Sequence, residues 1–274
     1  MIGNLTFDKA SMNMSYFLYS ILLIDENGGE ITRSDFVKKM AALVGVPAIN
    51  GGKENRTAYN KNKMPRYFGF IDIVTYESGM SLRLTNRGKA IVPLIVSKGN
   101  DEPSESRFII DPNKRQDFIE LIMGSVIFDS FGKNNCGAEQ SNTDIEPPKI
   151  VFRAIYDLGK ATAEEICYII YSMNNKLYES YEEALQKIIE NRKFGKYDYS
   201  RELEEWGALN FARDFKLINI FTDPSINLLF CEKDDAIGKN FYYLKADIKE
   251  RYGKEIAQLS AVYGNLYSHD DLQQ

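Results

Sequence analysis

The sequence predicts a mainly α-helical protein with small β-hairpins, and three features support this class. Apolar residues recur at helical spacing in most segments between residues 14 and 258. Residues 64–91 are different, because they place two short apolar strands on either side of a turn, which is typical of a β-hairpin. A similar pattern of helix and hairpin returns in the second half of the chain, so we expect a repeated unit.

The predicted elements of the first half follow an order that is known from DNA-binding proteins. In chain order they are a buried helix at 14–24, a capped helix from Thr32 or Ser34 to Val44, a basic helix within 50–63, strands at 70–74 and 81–84, a helix opening at Thr85, and a further helix at 114–131. Helices followed by a two-stranded wing are the order of a winged-helix unit, a form of helix-turn-helix that places one helix in the DNA major groove.

The sequence of the second half predicts the same order of helices and strands. Its predicted elements are helices at 149–158, 161–173, 180–192 and 201–215, strands at 217–221 and 226–231, and a last helix at 246–258. The positions that we pair between the halves are Phe68 and Phe70 with Phe211 and Phe215, and Leu82 and Leu84 with Leu228 and Phe230. We therefore predict tandem winged-helix domains at 1–131 and 149–274, joined by a linker at 132–148 that is rich in Gly, Asn and Pro.

Charge is distributed unevenly along the chain. The net charge is −5, but residues 50–98 hold nine basic and three acidic residues, a local charge of +6, which leaves −11 for the rest. A basic patch on an acidic body suits contact with phosphate. A solvated lysine-rich surface is the alternative explanation.

Cysteine spacing and hydropathy limit the classes to which the protein can belong. Cys136, Cys167 and Cys231 form no CxxC motif, which argues against a zinc ribbon or a redox pair, and the last two lie in apolar runs that predict core positions. No signal peptide opens the chain, and no apolar run reaches the roughly 18 residues that a membrane span needs. We expect a cytoplasmic protein in a reducing compartment.

Four stretches of the chain resemble the recognition region of the AlwI-type restriction endonucleases, a family that includes type IIS nicking enzymes. The matching stretches are 65–89, 147–173, 184–193 and 210–220, in the family's order and spacing. The resemblance implies recognition of an asymmetric double-stranded DNA site by winged helices. It also implies cleavage by a separate nuclease domain or subunit with Mg²⁺, which this chain lacks because it ends where the family continues.

The residues give little support for catalysis by the chain itself. Metal-dependent nucleases of this kind need an Asp, then a Glu or Asp, one spacer and a Lys on adjacent strands. Asp223 is followed by Glu232-Lys233 without the spacer, and the spaced pair Asp247 and Lys249 lies in a helical stretch. The only histidine, His269, lies in a polar tail, and no phosphate-binding loop motif occurs. We therefore predict no catalytic residue, metal site or cofactor in this chain.

The predicted DNA contacts lie in the basic stretch of the first half, where long cations and amides suit phosphates and base edges. For base edges we predict Asn55, Arg56, Asn60 and Lys63. For phosphates we predict Lys53, Lys61, Arg66, Arg87 and Lys89, while Arg83 faces out from its strand and could reach a groove or be solvated. A second, smaller patch comprises Arg192, Lys193, Lys196, Tyr197, Tyr199 and Arg201, for which ordinary helix-end charge is an equal alternative.

The sequence thus favours sequence-specific recognition of duplex DNA, as the recognition portion of a type II restriction endonuclease. Two other classes stay open. A winged-helix transcriptional regulator would usually dimerise on a palindrome, and a protein–protein scaffold would show no salt-dependent affinity for DNA. A complete nuclease with a scrambled motif is a third alternative, which plasmid cleavage in Mg²⁺ would reveal.

Overall fold

The structure is a computed structural model that describes residues 13–128, 145–207 and 230–261. Helices predominate over small antiparallel sheets, so the predicted class of mainly α structure with small hairpins is confirmed. The described residues group into two compact units, one within 13–125 and the other made of 126–128, 145–207 and 230–261.

The first unit contains helices and hairpins in an order close to the predicted one. Its helices are α1 (Met14–Asp25), α2 (Arg33–Val44), α3 (Arg56–Asn60), α4 (Lys63–Tyr67), α5 (Asn86–Ile91) and α6 (Arg115–Phe128), the last of which ends in the second unit. Its strands are β1 (Glu30–Thr32), β2 (Ile49–Asn50), β3 (Lys53–Glu54), β4 (Ile71–Tyr76), β5 (Gly79–Leu84), β6 (Ile95–Ser97) and β7 (Phe108–Ile110). Strands β4 and β5 form the predicted hairpin, and β1 joins it to give the sheet order β1-β5-β4.

The core of the first unit is built around the α1 residue Phe17. Its ring meets those of Phe68, Phe70 and Phe118 edge to face, with centroids 6.4, 5.9 and 6.4 Å apart. All four rings are almost fully buried. Edge-to-face packing adds to the burial of apolar area, so this cluster fixes α1, α6 and the start of the hairpin against one another.

Local capping explains where the helices of the first unit begin. Thr32, one of the two caps that the sequence predicted, accepts a hydrogen bond from the amide of Asp35 and so caps α2. Thr85 accepts from the amide of Gly88 and caps α5, while its own hydroxyl donates to the Gly69 carbonyl at 2.7 Å. The second of these bonds also ties the start of α5 to Gly69, two residues before β4.

The second unit has helices α7 (Pro147–Leu158), α8 (Ala163–Asn174), α9 (Tyr181–Lys193), α10 (Ser200–Glu205) and α11 (Ala246–Ala257). Its strands β8 (Ala161–Thr162), β9 (Cys231–Ala236) and β10 (Lys239–Leu244) form a sheet of order β8-β10-β9. Helix α8 is buried from Glu165 to Asn174, which accounts for its apolar sequence.

The two units repeat one internal arrangement, which consists of a helix, a short strand, a second helix and, later, a hairpin whose second strand pairs with the short one. Phe70 and Phe230 each precede the first hairpin strand. The Phe70 carbonyl accepts from the amide of Thr85 at 3.2 Å, and the Phe230 carbonyl accepts from the amide of Lys245 at 3.1 Å. Phe230 also packs edge to face on Phe152 of α7, as Phe70 does on Phe17.

The repeat contains a hairpin later in the chain than the one that the sequence predicted. Residues 217–221 and 226–229, like Phe211, Phe215 and Leu228, lie outside the described residues, but Phe230 is helical and the hairpin runs from Cys231 to Leu244. By strand pairing, the counterparts of Leu82 and Leu84 are Tyr242 and Leu244. The sequence analysis did not predict this hairpin, because β9 carries four consecutive charged residues. Its position at the edge of the sheet allows this, since charged side chains are common on edge strands.

Two other predicted boundaries shift. Residues 50–63 are not one helix, because Lys53 and Glu54 pair with Ile49 and Asn50 in a small hairpin before α3 begins. Ile145 and Glu146, at the end of the predicted linker, are buried in the second unit, and residues 132–144 lie outside the described part.

The two described cysteines, Cys167 and Cys231, occupy core positions, as their apolar neighbours predicted. Burial raises the pKa of each thiol to about 12. The reactive species is the thiolate, and at pH 8 only about one thiol in ten thousand would be ionised at such a pKa. In a Cys136→Ser variant we therefore expect alkylation by iodoacetamide only after unfolding in urea. Rapid labelling in native buffer would contradict this placement.

Candidate nucleic-acid interface

Helices α3 and α4 form one helical path with a break between them. The backbone of Lys61 and Asn62 stays right-handed helical through the break. Proline has no amide hydrogen, so Pro65 cannot bond the carbonyl of Lys61 four residues earlier. The Ser20 hydroxyl of α1 lies 3.2 Å from that carbonyl and shares its hydrogen between it and the Tyr16 carbonyl, which is 2.8 Å away. The carbonyl at the break therefore has a hydrogen-bond partner on the core side. The outer face of α3 and α4 is continuous across the break.

The outer face of this path carries predicted contact residues. Arg56, Asn60 and Lys63 follow one another at spacings of four and three, which places them on one side of a helix. Arg56 is exposed and the other two are half-buried. The opposite face is buried, with Ala58 and Asn62 both at 0% exposure. We call Arg56, Asn60 and Lys63, together with the exposed Lys53 of β3, the α3 surface.

Arg33 is a functional candidate that the sequence analysis missed. As the first residue of α2, it stacks its guanidinium 4.2 Å from the centroid of the Tyr59 ring of α3. Its Nε also lies 2.6 Å from Glu54 Oε2 at the end of β3. A guanidinium stacked on an aromatic ring and paired with a carboxylate holds both partners. Arg33 thus positions α3 against α2. In the sequence, the one sign of this role is that residue 33 lies at a predicted helix start.

Asn55 does not lie on the α3 surface, and we withdraw it from the predicted base contacts. Its side chain is 7% exposed, and its carbonyl oxygen accepts from the amides of Thr57 and Ala58. Its Nδ2 donates to the Pro47 carbonyl at 2.7 Å. Both ends of the amide are therefore in use, and Asn55 caps α3.

Three predicted phosphate contacts also have structural partners. Lys61 places its ammonium 4.3 Å from the Tyr16 ring centroid, and burial lowers its pKa, an effect that the Glu105 carboxylate opposes. Arg66 is buried and donates to Asn62 Oδ1 at 3.4 Å. Arg87 donates to Ser125 Oγ at 2.6 Å and so links α5 to α6. We remove these three from the predicted phosphate set.

Arg83 and Lys89 are exposed but lie away from the α3 surface. Tyr59 of α3 reaches Met80 Sδ at 3.5 Å, so α3 lies on the Met80 face of the sheet, whereas the alternation of a strand turns Arg83 to the other face. There Arg83 sits between Glu30 and Asp72, its register partners. Lys89 lies beside Gly29, at the opposite end of β1 from Arg33. The structure therefore divides the predicted set, and Lys53, Arg56, Asn60 and Lys63 remain as candidate contacts with DNA.

The second predicted patch is largely engaged in structural pairs. Arg192 donates hydrogen bonds to both carboxylate oxygens of the fully buried Glu165, each at 2.7 Å. It also donates to the Lys160 carbonyl at 2.7 Å. Lys196 pairs with Glu202 at 2.7 Å, Arg201 pairs with Glu205 at 3.2 Å, and Tyr199 is buried. Tyr197 is half-buried against Phe241, and Lys193 is exposed. The helix-end explanation therefore accounts for most of this patch.

Comparisons with family models, curated proteins and solved structures find no match. The resemblance to the AlwI-type recognition region accordingly stays an expectation.

The structure adds little to the search for catalytic chemistry. In the ranges 13–128, 145–207 and 230–261, no group of three His, Cys, Asp or Glu residues could hold a metal ion. Asp223 and His269 lie outside these ranges, Glu232 and Lys233 are neighbours on β9, and Asp247 and Lys249 lie on α11. None of the helices in the described part is long and apolar enough to cross a membrane.

Proposed function

We propose that the chain binds double-stranded DNA through its first unit, which we interpret as a winged-helix domain with the α3 surface in the major groove. The order of elements and the sheet order β1-β5-β4 support this interpretation. In that arrangement the helical segment before the hairpin is the one that enters the groove. Here this segment is α3 with α4.

One observation carries the proposal. The helical segment in the groove-entering position presents exposed or half-exposed long polar side chains, while its opposite face is buried. Arginine, asparagine and lysine are the side chains that read base edges, so Arg56, Asn60 and Lys63 fit that role. Lys53 is suited to a phosphate. Arg33, Asn55 and Ser20 hold this segment from its protein side. The exposed face of the segment would therefore be ordered before it binds DNA.

The second unit repeats the order of elements, and we interpret it as the second winged helix of a tandem pair. Its hairpin is less suited to phosphate, because β9 places Glu232, Asp234 and Asp235 around the single Lys233. Like charges repel at short range, so we assign the main contact with DNA to the first unit.

We further propose that the chain is the recognition portion of a site-specific type II restriction endonuclease. Segment order and spacing support this, through the resemblance to AlwI-type enzymes. Cleavage and its Mg²⁺ would then belong to a separate nuclease domain or subunit. A winged-helix regulator with the same α3 surface is the second candidate, and the symmetry of the recognised site separates the two.

Selection from a randomised duplex library at two salt concentrations tests the proposal. We expect one short, non-palindromic sequence to be enriched, with weaker binding at the higher salt, because released counterions drive contact with phosphate. A palindromic site would favour a dimeric regulator. No enrichment, with an affinity that does not depend on salt, would overturn DNA binding and leave the protein–protein scaffold.

A further inference from the structure

Arg87 is joined to the end of α4 by two hydrogen bonds in series. Its Nη1 donates to Ser125 Oγ of α6 at 2.6 Å, and the same hydroxyl donates to the Phe68 carbonyl at 2.8 Å. A serine hydroxyl can accept one hydrogen bond while it donates another, so the three groups form one chain. Ser125 and Phe68 are fully buried, and Arg87 is half-buried. The side chains of Arg87 and Ser125 therefore act on the backbone at Phe68.

The Phe68 carbonyl lies at the C-terminal end of α4. A helix leaves its last carbonyls without partners of its own, and other groups have to bond them. Ser125 bonds the Phe68 carbonyl, and Thr85 bonds the carbonyls of Gly69 and Phe70 through its hydroxyl and its amide. Three consecutive carbonyls after α4 are therefore fastened to α6 and to the residue that caps α5.

This attachment reaches the α3 surface through α4 itself. Lys63 is the first residue of α4, which is only five residues long. Inside this segment the Phe68 amide donates to the Met64 carbonyl at 3.1 Å, and the Phe70 amide donates to the Pro65 carbonyl at 2.8 Å. A displacement at the end of so short a helix tilts it as a whole. The orientation of Lys63 therefore depends on how Phe68 is held.

We infer that Arg87 and Ser125 are positioning residues for DNA recognition, which hold Lys63 against its base without touching DNA themselves. This inference rests on the proposed function. Side chains that read a ligand have to be held to within roughly 0.5 Å by the residues that support them. A hydrogen bond from a charged guanidinium is among the stronger ones in proteins, which suits such a support. Arg87 would thus serve recognition through α4, and not through a phosphate.

The test measures affinity for the selected duplex and for random duplex while salt is varied, at a temperature where circular dichroism shows each variant to be folded. We expect Arg87→Ala and Ser125→Ala each to weaken binding to the selected duplex roughly fivefold, the lower end of what one base contact contributes. Binding to random duplex and the slope of log Kd against log salt should not change. Arg115→Ala, which removes an exposed arginine from α6, should behave as the native chain does.

Combined variants show whether the pair acts through Lys63. Because Arg87 and Ser125 form one chain of hydrogen bonds, the double variant should bind the selected duplex as either single variant does. In a Lys63→Ala background, neither substitution should weaken that binding further. If Ser125→Ala does not fold, Arg87→Ala in the native and Lys63→Ala backgrounds gives the same comparison.

Three outcomes would overturn the inference. The first is a salt slope lowered by about 0.9 in Arg87→Ala, which would make Arg87 a phosphate contact. The second is native affinity in Arg87→Ala, which would leave it a role in stability alone. The third is an effect of Arg87→Ala that is as large without Lys63 as with it. The proposed function survives each of these if Arg56→Ala still weakens binding to the selected duplex. A native chain that binds no duplex in a salt-dependent way would remove the proposed function, and this inference with it.

Discussion

Replacing Gly88 with alanine is expected to lower the free energy of unfolding by about 3 kcal/mol, at the upper end of the cost of overpacking. Gly88 lies inside α5, where alanine would ordinarily be favoured by about 1 kcal/mol. At this position, however, an added Cβ would overlap the carbonyl oxygen of Phe70 and lie 3.2 Å from Cδ2 of Leu84. The clash is with backbone, which cannot turn aside as a side chain can, so the steric cost exceeds the gain in helix propensity.

Gly124→Ala provides the matched control for this prediction. Gly124 lies within α6 of the same unit, and a Cβ there would meet no atom within 4 Å. We expect this variant to be stabilised by about 0.5–1 kcal/mol. Urea titration followed by far-ultraviolet circular dichroism measures both. If Gly88→Ala were as stable as the native chain, the close packing of α5 on the hairpin would be wrong.

Replacing Glu165 with glutamine is expected to destabilise the second unit by about 3 kcal/mol, the lower end of the cost of removing one partner from a buried ion pair. Glu165 is fully buried, accepts from the Thr162 amide at 2.8 Å, and is gripped by the Arg192 guanidinium through both oxygens. Glutamine can still accept from Thr162, but it leaves the Arg192 charge without a counter-ion. Arg192 is 18% exposed, so water relieves part of that cost.

The surface pair of Lys196 and Glu202 is the control, with side chains 44% and 30% exposed. Glu202→Gln should change the free energy of unfolding by less than about 1 kcal/mol, as exposed pairs do. Trp206 reports on this unit, because it packs beside Tyr168 of α8 with ring centroids 5.3 Å apart. Its fluorescence in a urea titration therefore follows the relevant transition. Equal effects of the two substitutions would contradict a buried, stabilising role for Glu165.

The sequence predicted those parts of the fold that local chemistry determines. The apolar run of α1, the Thr32 cap, the strands around the first hairpin and Pro147 at the start of α7 all carry signals within a few residues. The hairpin of β9 and β10 was not predicted, because β9 is charged throughout its middle and an edge strand need not alternate. Its true position follows from pairing with β10 and β8, which depends on contacts between residues distant in sequence.

The site was predicted less well, for a related reason. Composition identified the basic stretch, but whether a cation faces solvent depends on what packs around it. Arg66 and Arg56 belong to the same helical path, yet one is buried beside Asn62 and the other is exposed. Asn55 looked suited to reading a base and instead caps α3, because Pro47 lies within reach of its amide. Arg66 follows Lys63 at a spacing of three, so helical spacing alone does not separate the buried Arg66 from the exposed Arg56.

The measurement that tests the central claim most directly is the salt dependence of affinity for the selected duplex, compared among single variants. Lys53→Ala should reduce the slope of log Kd against log salt by about 0.9, the value for one phosphate contact. Arg56→Ala should weaken binding to the selected site more than binding to random duplex, as loss of a base contact does. Lys98→Ala, a change at an exposed lysine of the same unit that is not part of the α3 surface, should leave both quantities unchanged. If Lys53→Ala and Arg56→Ala were indistinguishable from Lys98→Ala, the α3 surface would not be where the chain meets DNA.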